Sequence, residues 1–255
     1  MNKFYEIFSV KNKNVLITGA AKGNGRALAK AFSHAGSSIF LIDIDSENLK
    51  KLAEEIKSQE NKSVQFKILD LGNAEELSNF LSLENDFDVV INNAGITLGN
   101  HLFDYEDQDW DLTHKVNLYA PYKIIQEVSK KMSKKGSGSI INITSLAAEL
   151  GFPDNPAYVA FKGALKQLSK AAAMDLSSSG VRVNSIGPGY FKTNMTAESW
   201  KNKTLREERS KRIMLSRWGE SSDLIGISIF LASDASSYIT GQDFYIDGGW
   251  LAKGL

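Results

Sequence analysis

The chain contains no cysteine among its 255 residues and has only three histidines. The absence of cysteine excludes disulfides, thiolate metal sites and a cysteine nucleophile. The histidines, at positions 34, 101 and 114, lack the spacing of a metal motif, so we expect no bound metal ion. Any catalytic or binding groups of this protein are therefore expected among side chains other than cysteine and metal-binding histidine.

The chain also lacks a long hydrophobic run and an excess of charge of either sign. No stretch approaches the roughly 20 apolar residues of a membrane span, and the first 13 residues, which include Glu6 and Lys11, lack the apolar core of a signal peptide. Thirty basic residues balance thirty acidic ones, so net charge favours neither nucleic acid nor a membrane as partner. We expect a cytoplasmic protein that acts on a small-molecule substrate.

Short apolar runs alternate along the chain with longer segments of helical period. Runs such as Val15-Leu16-Ile17 are apolar at consecutive positions, which is typical of strands covered on both faces in a parallel sheet. The predicted strands are Asn14–Thr18, Ile39–Asp43, Val64–Leu69, Val89–Asn92, Ser139–Thr144, Val181–Ile186 and Phe244–Ile246. The predicted helices lie near residues 24–35, 46–59, 73–82, 106–132, 156–178 and 221–232.

This alternation occupies residues 1–255 without a linker, a repeat or a low-complexity tract. It predicts an α/β single-domain Rossmann fold, in which a doubly wound parallel sheet of about seven strands carries helices on both faces. Right-handed crossovers place the carboxyl ends of the strands at one edge, where we expect the chemistry. A strandless segment at about 190–218 is predicted to be a substrate lid. Its middle part carries the cations Lys201, Lys203, Arg206, Arg209, Lys211 and Arg212.

A glycine-rich turn follows the first strand and precedes a helix. Gly19, Gly23 and Gly25 have the spacing G-x-x-x-G-x-G. Glycines let the backbone approach a diphosphate, whose oxygens would accept hydrogen bonds from the N–H groups at the helix start. The turn therefore predicts a dinucleotide site that includes Lys22 and Asn24, although three glycines at such a junction can also form an ordinary turn.

Asp43 ends the second strand, about 20 residues beyond the glycines, where an acid binds the adenosine ribose hydroxyl. The alternative for Asp43 is a solvated acid at a strand end. A carboxylate there would repel a 2′-phosphate, which favours NAD over NADP as the cofactor. Lys22 argues in the opposite direction, because a cation beside the diphosphate turn could hold that phosphate, so NADP stays an alternative.

A second group of polar residues follows the fifth strand. Asn155 and Pro156 predict a helix start, with Asn155 as the N-cap. Tyr158 then lies in the first turn, and Lys162 lies one turn further over the same face. An adjacent ammonium and the helix dipole both favour the phenolate, so this pair is a candidate proton donor and acceptor. Ser145 offers a hydroxyl for a substrate oxygen, and no histidine lies near enough in sequence to support a serine hydrolase.

Taken in order, these features resemble the short-chain dehydrogenase/reductase family over essentially the whole chain. The motifs that carry the resemblance are Thr18-Gly19 with Gly23 and Gly25, Asp70-Leu71, Asn92-Asn93-Ala94-Gly95, Asn117, Ser145, Tyr158 with Lys162, Pro188-Gly189 with Thr193, and Asp247-Gly248-Gly249. The resemblance implies an NAD-dependent oxidoreductase that interconverts a secondary alcohol and a ketone, and it suggests a homotetramer.

The resemblance also implies the role of each site residue. Tyr158 would be the general acid and base, Lys162 would lower its pKa and bind the nicotinamide ribose, and Ser145 would hold the substrate oxygen. Asn117 would anchor a water molecule that links Lys162 to solvent. The implied cofactor-binding residues are Gly19, Lys22, Gly23, Asn24, Gly25, Asp43, Asp70, Leu71, Asn93, Ala94, Gly95, Tyr158, Lys162, Pro188, Gly189 and Thr193.

Within the family, the segments 189–195, 217–219 and 247–252 are most similar to gluconate 5-dehydrogenase-like members, which act on sugar acids and polyols. Those members typically carry an arginine soon after the Asn-Asn-Ala-Gly turn, whereas this chain has no arginine there and offers His101 as a candidate polar contact. One alternative is an NADPH-dependent 3-oxoacyl-carrier-protein reductase, against which Asp43 argues. The other is a non-catalytic Rossmann-fold binding protein, against which the complete set Asn117, Ser145, Tyr158 and Lys162 argues.

Overall fold

The computed structural model describes residues 6–60, 63–83 and 85–253. Its strands are β1 (Asn14–Thr18), β2 (Ser38–Asp43), β3 (Val64–Ile68), β4 (Val89–Asn92), β5 (Gly138–Ile143), β6 (Val181–Pro188) and β7 (Asp243–Ile246). They form one sheet in the order β3-β2-β1-β4-β5-β6-β7, and every neighbouring pair is parallel. The predicted Rossmann fold with seven parallel strands is confirmed.

Helices connect the strands and cover both faces of the sheet. They are α1 (Gly23–His34), α2 (Ser46–Glu60), α3 (Ala74–Leu81), α4 (Asp107–His114), α5 (Ala120–Lys135), α6 (Pro156–Leu176), α7 (Ala197–Lys201), α8 (Lys203–Arg212) and α9 (Ile225–Ala232). Within the described ranges, none of these helices is long and apolar enough to cross a membrane.

The strands supply apolar side chains to a separate core on each face of the sheet. In β1, Val15 and Ile17 pack in one cluster with Phe32 of α1. Leu16, between them, packs in the opposite cluster with Ile124 of α5. Successive side chains of a strand point to opposite faces, so a strand covered on both faces is apolar throughout. The consecutive apolar runs of the sequence have this origin.

The connections place a crevice beside β1. The chain moves from β1 outward to β2 and β3, then returns past β1 to β4 and continues in the opposite direction. Ligands of doubly wound sheets bind at such a reversal, outside the carboxyl ends of the strands. The glycine-rich turn after β1 and the Asn93 turn after β4 both lie at this point.

The predicted elements differ from the structure mainly at three places. The predicted helix 106–132 is divided into α4, a π-helical turn (Lys115–Tyr119) and α5. The sixth strand runs to Pro188 instead of Ile186, because β7 pairs with its last four residues from Ser185 to Pro188. The predicted helix 221–232 begins with a 3-10 turn, Ser221–Leu224, before α9.

The segment 190–218 contains the short helices α7 and α8 and no strand, as predicted. Its two ends are tied together at the sheet edge. Gly219 donates its N–H to the carbonyl of Tyr190 at 2.8 Å, and Lys192 donates to the carbonyl of Gly219 at 2.9 Å. The segment is therefore an insertion whose two ends lie side by side at the carboxyl edge of the sheet.

Candidate active site

A cavity of about 670 Å³ lies at the carboxyl edge of the sheet. It brings together nearly all of the predicted site residues, although they come from the segments that follow β1, β2, β3, β4, β5 and β6, including helix α6. The predicted residues in its wall are Gly19, Lys22, Gly23, Asn24, Asp43, Asp70, Leu71, Asn93, Ala94, Gly95, Ser145, Tyr158, Lys162, Pro188, Gly189 and Thr193. Gly25 and Asn117 do not line it.

The glycine turn owes its shape to close backbone packing. Gly19 has a φ of +64°, and a Cβ added there would lie 2.7 Å from the Cα of Ala94. Gly25 adopts an ordinary φ, but a Cβ on it would lie 2.1 Å from the carbonyl oxygen of Gly19. Gly25 thus lets α1 begin directly under the turn, which explains its place outside the cavity wall. Gly23, with a φ of +51°, is the middle glycine and does line the cavity.

Asn93 fastens the turn after β4 to the turn after β1. Its Nδ2 donates to the carbonyls of Thr18 at 2.9 Å and Gly19 at 3.0 Å. The hydroxyl of Thr18 in turn accepts the N–H groups of Asn93 and Ala94, each at 3.1 Å. The Asn93 side chain is therefore a positioning group that holds two cavity walls together.

Asp43 is fixed by the backbone around it. One carboxylate oxygen accepts the N–H of Ala21 at 2.8 Å, and the other accepts the N–H of Asp45 at 2.9 Å. Lys22 forms an ion pair with Asp45 at 2.5 Å. The hydrogen bond from Lys22 lowers the pKa of Asp45 to about 2, and that with Asp45 raises the pKa of Lys22. Asp43 thus forms no ion pair within the described residues, while the charge of Lys22 is balanced by Asp45.

Two other predicted cofactor residues are held by local hydrogen bonds. The Asn24 side chain accepts the hydroxyl of Ser221 at 2.7 Å. Its backbone N–H belongs to the first turn of α1, where such groups can bind a phosphate. A carboxylate oxygen of Asp70 accepts the N–H of Gly72 at 2.8 Å and orders the turn after β3. Leu71, which lies between Asp70 and Gly72, is buried at 7% exposure and contributes apolar surface to the cavity wall.

The predicted proton-transfer residues, Ser145, Tyr158 and Lys162, line the same cavity. Ser145 caps a 3-10 turn (Leu146–Ala148) and accepts the N–H of Ala147 at 3.1 Å, which fixes its hydroxyl beside β5. Burial raises the pKa of Tyr158, and a hydrogen bond with Ser145 lowers it in part. The prediction that Lys162 and the helix dipole set a low pKa for this phenol is wrong for the protein alone, because burial outweighs the other effects.

Lys162 is buried at 3% exposure and faces the backbone of β5. Its Nζ donates to the carbonyl of Ile143 at 2.7 Å and lies 5.8 Å from the ring centroid of Tyr158. Burial lowers the pKa of Lys162 from 10.5 to about 8. A Cβ added to Gly95 would lie 3.4 Å from this Nζ, so glycine leaves a space in front of the ammonium.

Asn117 is fully buried behind the cavity, in the π-helical turn. Its side chain accepts the N–H of Ile96 and donates to the carbonyl of Ile96, each at 2.8 Å. These two bonds anchor the segment that follows Asn93, Ala94 and Gly95. Each end of the amide thus makes one hydrogen bond to Ile96, and the expected role of Asn117 in anchoring a water molecule stays a prediction.

Two polar residues, Asn155 and His101, make contacts other than those expected from the sequence. Asn155 occupies the N-cap position of α6 but makes no side-chain cap; its Oδ1 accepts the hydroxyl of Thr97 at 2.6 Å. That bond closes the cavity wall and replaces the expected cap. His101 is exposed, stacks on Phe103 at 4.9 Å between ring centroids, and does not line the cavity.

Several cavity residues escape sequence reasoning. Phe152 comes from the loop before α6 and lies 6.2 Å from Tyr190, measured between ring centroids. Tyr190 directly follows the Pro188-Gly189 motif, which is the one signal that could have identified it. Met195 and Arg209 come from the segment 190–218, and only the folded chain shows which of its residues face inward.

The residues of the wall fit a nicotinamide dinucleotide. The glycine turn presents backbone N–H groups at the start of α1, a suitable site for a diphosphate. Asp43 and Asp70 line the same cavity as Ser145 and Tyr158, so one continuous space joins the adenosine side to the proton-transfer side. Gly95 leaves room beside Lys162 for the ribose that this ammonium would bind.

Comparisons with known proteins identify relatives over the whole chain. A family model described as enoyl-(acyl carrier protein) reductase matches residues 19–251. The chain is 34% identical to 5-keto-D-gluconate 5-reductase of Escherichia coli K12, over 96% of this chain and 98% of the relative. It is 35% identical to 3-oxoacyl-acyl-carrier-protein reductase of Chlamydia trachomatis, over 93% of this chain and 97% of the relative.

A solved structure is similar across the same extent. The structure of a gluconate 5-dehydrogenase from Burkholderia cenocepacia J2315, in complex with NADP and tartrate, matches with a TM-score of 0.91 and 31% identity. The match covers 98% of this chain and 99% of that one. The predicted resemblance to gluconate 5-dehydrogenase-like members is thereby confirmed. The chain is an oxidoreductase and belongs to the short-chain dehydrogenase/reductase family.

Proposed function

We propose that the protein is an NAD(H)-dependent oxidoreductase that interconverts a secondary alcohol and a ketone in a sugar acid or related polyol. The observation that carries the proposal is the placement of Ser145, Tyr158 and Lys162 in the wall of the cavity that also holds the glycine turn. A hydroxyl, a phenol and a buried ammonium thus line the same space as the glycine turn.

The three side chains divide the work of proton transfer. Ser145 holds the substrate oxygen, and Tyr158 gives a proton to that oxygen in reduction or removes one in oxidation. Lys162, placed beside the phenol ring, stabilises the phenolate electrostatically as the proton leaves. The cofactor, when bound, supplies or accepts the hydride, while the protein supplies orientation and the proton. Asn117 acts indirectly, by fixing the Ile96 segment that flanks the site.

NAD is the proposed cofactor because Asp43, at the proposed adenosine side of the cavity, forms no ion pair within the described residues. Its backbone hydrogen bonds fix its position, where a carboxylate would repel a 2′-phosphate. The cation that would favour NADP, Lys22, is paired with Asp45. NADP stays the alternative, since the similar gluconate 5-dehydrogenase structure contains that cofactor.

A sugar acid is the proposed substrate class, and a 3-oxoacyl thioester is the second candidate. The names of the similar reductase and dehydrogenase support the first, and one relative of comparable identity supports the second. The polar pair of Thr97 and Asn155 in the cavity wall favours a hydroxyl-rich substrate over an acyl chain.

A spectroscopic assay tests this proposal. The protein is incubated with NAD+ or NADP+ and with D-gluconate, D-sorbitol or a neutral secondary alcohol, and the formation of reduced nicotinamide is followed. Reduction of a 3-oxoacyl thioester is assayed in parallel. We expect NAD-dependent turnover of the sugar acid or polyol; turnover of the thioester alone, with NADPH, would replace the proposal by the second candidate.

Two further parts of the proposal rest on the resemblance and on placement. We propose a homotetramer, which light scattering of the purified protein would test. We also propose that residues 190–218 act as a substrate lid, because Tyr190, Met195, Ser199 and Arg209 of this segment line the cavity. The cytoplasmic location stays a prediction of the sequence.

A further inference from the structure

The six cations at positions 201–212 occupy different environments. Lys203 pairs with Glu207 at 3.9 Å, and Arg212 pairs with Glu208 at 3.5 Å. Arg206 donates to the carbonyl of Trp200 at 3.1 Å. Lys201 and Lys211 are exposed. Arg209 is the one member of this set that lines the cavity.

Arg209 is held in place by an aromatic ring and lacks a charged partner. Its guanidinium carbon lies 4.4 Å from the ring centroid of Tyr190. Its Nη1 is buried and, within the described residues, has no hydrogen-bond partner. No carboxylate of the described chain forms an ion pair with it. A buried donor of a charged group without a partner is costly, unless a ligand completes it.

Arg209 differs in this respect from the other two cations of the cavity wall. Lys22 is paired with Asp45 at 2.5 Å. Lys162 donates to the carbonyl of Ile143 at 2.7 Å and lies beside the phenol that transfers the proton. Of the three, only the guanidinium of Arg209 is left to receive an anion, and its planar fork of N–H groups matches a carboxylate.

Arg209, Tyr190 and Tyr158 line the same cavity. Arg209 lies on the ring of Tyr190. Burial raises the pKa of Tyr158, and the electrostatic effect of Tyr190 raises it further, in accord with their shared place in the cavity wall. An anion bound by Arg209 would lie beside the Tyr190 ring, in the space that also contains the proposed proton-transfer group, and a substrate chain of several carbons would join the two positions.

We propose that Arg209 binds the carboxylate of a hydroxy acid or keto acid whose reacting carbon lies several bonds from that carboxylate. This inference rests on the proposed function and specifies the group that makes an acid a better substrate than a neutral polyol. A salt bridge between the acid and Arg209 would also hold helix α8 against the cavity. Binding of the acid would then place the segment 190–218 over the site.

The test compares D-gluconate with D-sorbitol, which carries a CH2OH group in place of the carboxylate. The variants are Arg209→Met, which keeps an apolar stem on Tyr190, Arg209→Lys, which restores the charge, and the control Lys211→Met on the same helix. We expect Arg209→Met to lower the ratio of kcat/KM for D-gluconate to kcat/KM for D-sorbitol by about 10- to 100-fold, as for a lost hydrogen-bonded charge. Most of the loss should lie in KM.

The two other variants show whether the charge of Arg209 itself causes this change in the ratio. Arg209→Lys should recover part of the ratio, and Lys211→Met should leave it near the wild-type value. An equal change in Arg209→Met and Lys211→Met would overturn the inference, because a general surface charge would then explain the preference. The proposed function would survive that outcome.

Calorimetric binding separates the inference from the proposed function. D-gluconate and tartrate are titrated into the wild-type protein and Arg209→Met, each loaded with NAD+. Binding that weakens by about 10-fold or more in Arg209→Met supports the carboxylate site even if no turnover is found. Absence of binding of both anions to the wild-type protein overturns it, whatever the substrate proves to be.

Discussion

Lys162 lies beside the ring of Tyr158, with its Nζ 5.8 Å from the ring centroid, and donates its hydrogen bond to the carbonyl of Ile143 instead of to the phenol. Both side chains are buried, and burial opposes the charged form of each: it raises the pKa of Tyr158 and lowers that of Lys162 to about 8. Each group is thus held closer to its neutral form than it would be in water, although Lys162 stays an ammonium below about pH 8.

The lowered pKa of Lys162 makes a prediction for stability. Below about pH 8 the folded protein holds a buried ammonium, and between about pH 8 and 10.5 the unfolded chain binds more protons than the folded one. The free energy of unfolding contributed by this group therefore rises with pH through that window, by about 3 kcal/mol. Denaturant titrations of wild-type protein and Lys162→Met across this range measure the difference between them.

In this comparison Tyr158 and the other titrating groups are common to both proteins, so their contributions largely cancel. The wild-type curve should rise relative to that of Lys162→Met as the pH increases. Parallel curves would show that Lys162 titrates near its ordinary pKa and is not buried as described.

Asp43 provides a test of cofactor choice. Asp43→Asn removes the charge but keeps an oxygen to accept the N–H of Ala21. We expect the preference for NAD over NADP, measured as the ratio of kcat/KM values, to fall by about tenfold, as for the loss of one repulsion near the surface. A wild-type preference for NADP would contradict the argument from Asp43.

Asn117 is predicted to act through the fold around the site. In Asn117→Ala, the N–H and the carbonyl of Ile96 lose their partners behind the cavity. The free energy of unfolding should fall by about 2–4 kcal/mol, because two buried groups are left unsatisfied. Asn100→Ala removes two exposed bonds, one to the carbonyl of Asp104 and one from the N–H of His101, and should cost about 0.5 kcal/mol or less. Equal losses in the two variants would contradict this role.

The sequence predicts the sheet well because each buried strand must be apolar on both faces, as in β1. It predicts the glycine turn and the Tyr158 pair because both require particular residues at fixed local spacing. The π-helical turn around Asn117 escapes prediction, since apolar periodicity continues through α4 and α5 and does not report one extra residue per turn.

The charge environment of the site was harder to predict from sequence. The low pKa expected for Tyr158 rests on its neighbour Lys162, whereas burial by residues distant in sequence sets the outcome. Of the six cations at positions 201–212, only Arg209 lines the cavity, and helical spacing in a run of charges does not distinguish it. Phe152 also comes to the wall from a loop whose path depends on tertiary packing.

Tyr158→Phe is the most direct test of the central claim that this cavity carries out proton-coupled oxidoreduction. The substitution keeps the ring and removes the hydroxyl, so kcat with NAD+ and the best substrate should fall by about 10²–10⁴-fold, as expected for lost general acid–base catalysis. Affinity for NAD+, measured by calorimetry on the same preparation, should change little. Turnover close to that of the wild-type protein would contradict the account.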